Sequence, residues 1–307
     1  MRRQRRRALG ALAAAVFAAS VLSACTSADG ERALVVVSTN ILGDVVDELV
    51  GDDVEVMTLM RPDADPHSFE ISAQDAARLR GADLLVSNGL GLEEGLQQHL
   101  DAAAADGVAT FVAGEAIEVL AYCEGDAAGV PDPHFWTDPA RMTDVVMALR
   151  GPLAGLPGVR ADDVDARVDA YLAELDRLDE ELATAFAGIP DERRALVTNH
   201  HVFGYLAERY GFRVVGAAIP GGTTLAAPSA SDLADLAAAI ERTGVPSIFA
   251  ESSSPDRLMR ALAEETGTRV DVVELYTESL TAVGGGAEDY LTMMRENTRR
   301  IATGLSD

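Results

Sequence analysis

From Ala161 to Ala187 the chain runs without a single Gly or Pro, and apolar residues recur at every third or fourth position. Val164, Val168, Leu172, Leu175, Leu178, Leu182 and Phe186 form one stripe, with Asp169, Glu174, Asp176, Arg177, Glu180 and Glu181 off it. That period predicts one amphipathic helix of roughly 40 Å at 1.5 Å per residue. Gly188-Ile189-Pro190 ends it. A helix of this length packed against its surroundings is a stiff spine rather than a hinge, and it fixes the plan of what flanks it.

On its N-terminal side, short apolar runs at 34–37, 54–59, 83–87 and 108–112 alternate with helical patterns at 41–50, 73–80 and 93–105. On its C-terminal side, runs at 195–198, 212–217, 247–250 and 270–275 are each followed by a helical stretch. Continuous apolar strands separated by helices predict parallel sheets covered on both faces. The expected fold class is therefore α/β: two lobes, each a four-stranded, mainly parallel sheet, joined by the spine. The 307 residues suffice for two such bodies. The expected division is a leader over 1–24, a tether over 25–32, an N-terminal lobe over 33–158, the linking helix over 159–190 and a C-terminal lobe over 191–307.

The leader is read from Arg2, Arg3, Arg5, Arg6 and Arg7 followed by a small-apolar stretch over 8–22, too short for a comfortable membrane span. It ends in Leu22-Ser23-Ala24-Cys25, which is similar to the lipobox of bacterial lipoproteins. On that reading Cys25 carries a lipid that holds the chain to a membrane, and residues 26–30 form a short flexible tether. Beyond Cys25 only Cys123 remains, so neither an intrachain disulfide nor a cysteine-type zinc site is expected. The formal net charge of −25, with no Arg-rich stripe past the leader, argues against nucleic acid.

Four candidate metal ligands fall in connections beyond the carboxyl ends of expected strands: His67, His134, His200 and Glu278. Ligands of open parallel sheets bind at that edge. Two come from each half, so one ion held by all four would sit between the lobes. Three imidazoles and a carboxylate suit a tetrahedral divalent ion, and imidazole favours zinc over manganese. A single loop histidine is more often structural than ligating; the residues around these four carry the case.

Pro62-Asp63-Ala64-Asp65-Pro66-His67-Ser68-Phe69-Glu70 resembles the first-ligand signature of the zinc- and manganese-binding lipoproteins of ABC importers, the ZnuA/TroA-like family. Asn88-Gly89-Leu90-Gly91-Leu92-Glu93 is similar to the loop that follows it. Asp132-Pro133-His134-Phe135-Trp136-Thr137-Asp138-Pro139 resembles the second motif, His200-His201-Val202-Phe203-Gly204-Tyr205 the third, and Tyr276-Thr277-Glu278-Ser279-Leu280 the fourth. The resemblance runs from about Leu34 to the C-terminus. It implies His67, His134, His200 and Glu278 as ligands, zinc as cargo with manganese as the alternative, an ABC permease as partner, and a monomer outside the cytoplasmic membrane, anchored through Cys25. Manganese-preferring members of that family tend to place Glu at the third position; His200 looks like the zinc type. Glu278 stands where Asp is common. The stretch from Glu124 to Gly129 is short and lacks the His-rich loop of many zinc members, and Ala227-Pro228-Ser229 replaces the usual Glu-Pro-Ser.

Among the remaining residues, Glu251 at a strand end is expected to orient an imidazole N–H. His201 is expected to make a polar contact beside His200, and His99 to face solvent from a helix. Phe135 and Trp136 are expected to exclude water or pack the core. Gly284-Gly285-Gly286 offers a mobile segment near Glu278, and Cys123 is read as an incidental thiol. Two other functions compete with transport. One is a zinc hydrolase with Glu278 or Glu251 as base, for which no His-Glu-x-x-His stretch exists. The other is a surface adhesin, which would not need the ligand set. The lipid anchor and the resemblance favour a receptor over an enzyme.

Overall fold

A computed structural model describes residues 32–122, 127–219 and 221–306. The leader, Cys25, the tether up to residue 31, and Cys123 lie outside the described residues.

The first sheet is built from β1 (Ala33–Val37), β2 (Val54–Thr58), β3 (Leu84–Ser87) and β4 (Thr110–Val112), in the order β2-β1-β3-β4 and parallel throughout. Its crossovers are α1 (Asn40–Val50), α2 (Ala73–Leu79) and α3 (Gln97–Ala105). The second repeats the plan with β5 (Ala195–Thr198), β6 (Arg213–Ala217), β7 (Ser247–Glu251) and β8 (Asp271–Leu275), in the order β6-β5-β7-β8. Here the crossovers are α6 (Gly204–Tyr210), α7 (Ala230–Thr243) and α8 (Arg257–Glu265). The apolar runs of β3, β5 and β7 are buried throughout because helices cover both faces. Edge strands β4, β6 and β8 are partly exposed. In each sheet the chain reverses its direction of spread beside the first strand, and loops from the carboxyl ends open a crevice there.

The spine is α5 (Ala161–Ala187), with Gly188 as its C-cap. Its buried stripe is Val164, Val168, Tyr171, Leu175, Leu178, Leu182 and Phe186. Tyr171 takes the inward place expected of Leu172, which is only partly buried. Two helices lie beside the spine: the first was not marked out by the apolar pattern, and the second is the helical stretch expected after the last strand. One is α4 (Pro139–Ala154), capped by Asp138 with Pro139 in its first turn and Pro152 near its end. The other is α9 (Tyr290–Ser306). One apolar cluster holds residues of both sheets: Val35, Val37 and Val86 from the first, Leu196, Phe249 and Leu275 from the second, with Leu175, Leu182, Tyr290 and Met294 between them. This shared interior packs the two sheets into one unit, Ala33–Asp307. Among the described residues no helix is long and apolar enough to cross a membrane.

Candidate metal centre

Each of the four loops is fastened before it reaches the crevice. Past β2, the backbone N–H of His67 donates to Oδ1 of Asp65 at 2.8 Å. Past β4, the N–H of His134 donates to Oδ1 of Asp132 at 3.0 Å, and a short turn, Phe135–Thr137, runs into α4. The indole of Trp136 donates to the carbonyl of Thr277 at 2.9 Å, so the second loop grips the fourth. Past β5, the Thr198 hydroxyl donates to the His200 carbonyl at 2.6 Å. Past β8, Asn297 on α9 both donates to and accepts from the backbone of Tyr276. Asn40 on α1 donates to Oγ of Ser279 at 2.8 Å and accepts from the N–H of Leu280 at 3.0 Å.

These tethers bring His67, His134, His200 and Glu278 together, all nearly inaccessible to solvent, with one donor atom from each within 4.8 Å of the others. Nε2 of His134 lies 3.4 Å from Nε2 of His67. Oε1 of Glu278 is 3.2 Å from Nε2 of His200 and 3.5 Å from Nε2 of His134; Oε2 is 3.6 Å from Nε2 of His67. Four donors at ~2.05 Å around a tetrahedral zinc would be separated by ~3.3 Å. The four separations given are close to the edges of such a tetrahedron, and all donors lie within 4.8 Å of one another. Both Glu278 oxygens are buried and have no partner among the described residues besides the imidazoles that face them. A buried carboxylate in that condition is costly unless a cation neutralises it. The donor set therefore fits a small divalent cation.

The far side of two of the rings is also engaged. Nδ1 of His134 is 2.7 Å from Oδ1 of Asp132, and Nδ1 of His200 is 2.9 Å from Oε2 of Glu251. Nδ1 of His67 has no hydrogen-bond partner, and the Glu94 carboxylate is 4.0 Å away. Burial holds the His134 imidazole well below its ordinary range, despite the pull of Glu278. At His200 burial also pushes down, but the Glu278 and Glu251 carboxylates outweigh it and raise the ring to about 10. At neutral pH His200 is thus an imidazolium, with Nδ1–H towards Glu251 and Nε2–H towards Glu278. Burial would raise Glu251, yet its contact with His200 leaves it below the usual carboxylate range. Burial pushes Asp132 up to about 7 against the hydrogen bonds that favour its charge.

Glu251, at the end of β7, meets the imidazole of His200. His201 stands outside the four, lining an adjacent cavity of about 300 Å³, its ring 6.2 Å from that of Tyr122. His99 is exposed on α3, Phe135 and Trp136 are buried, and Gly284, Gly285 and Gly286 are exposed. Asp132, Asp65, Tyr122 and Glu93 were not read from the sequence as parts of the site. Buried Glu93 accepts from the Ser38 hydroxyl and from the N–H groups of Asn88 and Gly89, pinning the loop after β3. The first two had a visible signal, since Asp-Pro-His occurs twice, at 65–67 and 132–134.

Two parallel sheets whose facing loops converge on a nitrogen-rich, anion-containing cluster define a cation-holding protein. A family model described as zinc-uptake complex component A, periplasmic, matches residues 35–304. The chain belongs to this family. The zinc-binding protein TroA of Treponema pallidum is 32% identical over 306 residues, spanning 96% of this chain and 98% of the relative. The manganese-binding lipoprotein MntA of Halalkalibacterium halodurans is 30% identical, spanning 92% and 91%. The solved structure of the periplasmic zinc-binding protein TroA matches with a TM-score of 0.82 at 31% identity, covering 90% of this chain and 100% of that one. A Mn-bound mutant of a periplasmic metal-binding protein from Candidatus Liberibacter asiaticus matches with a TM-score of 0.80 at 25% identity, covering 89% and 100%.

Proposed function

We propose that this chain is the extracytoplasmic receptor of an ABC importer for zinc, that it holds one ion through His67, His134, His200 and Glu278, and that it hands the ion to the permease. The observation that carries this reading is the set of 3.2–3.6 Å separations between facing donors around a buried carboxylate whose only polar partners are imidazoles. Four protein donors complete a tetrahedral shell and leave no position for an activated water, so the site suits capture rather than hydrolysis. Three imidazoles favour zinc. Lipid on Cys25 keeps the receptor beside its permease, and the working division remains an N-terminal lobe over 33–158, a linking helix over 159–190 and a C-terminal lobe over 191–307.

A manganese reading has one specific support. Both Glu278 oxygens face the cluster, one towards His67 and the other towards His134 and His200. Bidentate binding would add a fifth donor and favour an ion that prefers oxygen. The deciding measurement is elemental analysis of the purified chain after equilibration with equal, limiting zinc and manganese. One zinc per chain, lost in His200→Ala, is expected. Preferential manganese loading would overturn the choice of metal, and loading unaffected by His200→Ala would overturn the ligand set.

A further inference from the structure

Tyr122 lies between β4 and His134, and its hydroxyl is 3.1 Å from Nδ1 of His134. The same nitrogen is 2.7 Å from Oδ1 of Asp132. An imidazole that gives Nε2 to a cation carries its proton on Nδ1, and that proton goes to the shorter contact. The phenol is then left to donate to the Asp132 carboxylate, its side-chain hydrogen-bond partner. The order is Tyr122 O–H to Asp132, and His134 Nδ1–H to Asp132, with Nε2 turned to the cluster.

The other side of the phenol belongs to the second sheet. Its oxygen is 3.5 Å from the carbonyls of His201 and Gly222. A Cβ on Gly222 would lie 2.3 Å from the Tyr122 ring, so only a glycine there admits it. Asp132 is tied across the same seam, because the Tyr205 hydroxyl on α6 donates to its carbonyl at 2.9 Å. Tyr122 therefore touches, at one oxygen, the support of a first-sheet imidazole and the backbone wall of the second-sheet loops.

We propose that Tyr122 is a positioning residue that makes the grip of His134 on the cation depend on the two sets of loops staying together. This rests on the reading of His134 as a ligand. With the loops together, the wall formed by His201 and Gly222 keeps the phenol on Asp132, and Asp132 keeps the imidazole aimed. When the loops part, the phenol loses that wall, and His134 is the ligand whose hold weakens first.

The test is Tyr122→Phe in the purified chain, with Zn2+ as probe. Three readouts are needed: affinity by chelator competition, dissociation rate in excess chelator, and the melting temperature without metal. Loss of a partner that holds a ligating imidazole costs about 10–100-fold in affinity, and a phenol acting one step removed, through Asp132, about 10-fold. That loss is expected here, mostly as faster dissociation, with the metal-free melting temperature unchanged because the ring still packs on Gly222. Gly222→Ala, which keeps the hydroxyl but displaces the ring, should reproduce it, and decides by the same readouts should Tyr122→Phe fail to fold. Wild-type affinity and dissociation in the variant would overturn the inference while leaving the ligand set intact. Melting temperature and affinity falling together would also overturn it, marking a merely structural side chain. A wild-type chain that binds no Zn2+ would instead overturn the reading of the site beneath it.

Discussion

Replacing Glu278 by Gln removes a charge while nearly preserving the shape of the side chain. The carboxylate is 1% exposed and has no partner besides the three Nε2 atoms it faces at 3.2, 3.5 and 3.6 Å. It is the one anion in the donor set, so its loss should cost at least the upper end of what losing an outer partner costs, about 100-fold in zinc affinity. A factor of about 100 is ~2.7 kcal/mol. A ligand that binds the folded state alone stabilises it by RT ln(1 + [L]/Kd), so at saturating zinc the whole difference appears in stability. At about 2 °C per kcal/mol for a chain of this size, the zinc-induced rise in melting temperature should shrink by roughly 5 °C. The comparison must be made within each protein, with and without zinc, because the substitution also removes the partner of a protonated His200. Thermal denaturation at fixed excess zinc measures it. A variant whose zinc-induced rise equals that of the wild type would refute the assignment of Glu278 as a ligand.

Two further outcomes follow from the protonation of the site and of the inter-sheet seam. His200, raised from 6.5 to about 10, holds a proton that a cation must displace; zinc binding at pH 8 should release about one proton, measurable by calorimetry in buffers of different ionisation enthalpy, and no release would contradict this. The sign is opposite for the two states: without metal, the contribution of His200 to stability is complete below pH 6.5 and fades as the pH rises towards 10, while apparent zinc affinity climbs over the same window. Asp44 on α1 accepts from the N–H of Tyr290 and is raised from 3.8 to about 7, first by burial and then by Asp289, Glu48 and Asp47. Its charge therefore costs stability progressively from pH 3.8 to about 7 and by a constant amount above. Asp44→Asn should melt higher than wild type at pH 8 and converge with it near pH 4; equal melting temperatures at pH 8 would show that the charge is not penalised.

The parts of this molecule legible in its sequence are those whose stabilisation is periodic and local. The strands read as continuous apolar runs because helices cover both faces, and the spine reads to its last residue because Gly188 caps a stripe uninterrupted by Gly or Pro. Helix α4 was not read because Gly151 and Pro152 stand within its span. Pro152 lies close enough to the helix end for the break it causes to be tolerated. Tyr171 displaced Leu172 from the stripe through packing that periodicity does not encode.

The site shows the same boundary at finer grain, and the repeated Asp-Pro-His makes it concrete. In both copies the aspartate Oδ1 accepts from the backbone N–H of the histidine, a local bond that the spacing alone dictates. Beyond that the copies diverge. Oδ1 of Asp132 also meets the ring of its own histidine, whereas Oδ2 of Asp65 accepts from the Thr224 hydroxyl at 2.6 Å, from a loop of the second half, and the His67 ring nitrogen is left without a hydrogen-bond partner. Identical tripeptides therefore serve different ends, one aiming an imidazole and the other tying the halves together. What separates them is a threonine 159 positions away. The candidate ligands share a residue type and a place at a strand end, but what meets each far nitrogen differs: the neighbouring Asp132 at His134, the distant Glu251 at His200, and no hydrogen-bond partner at His67.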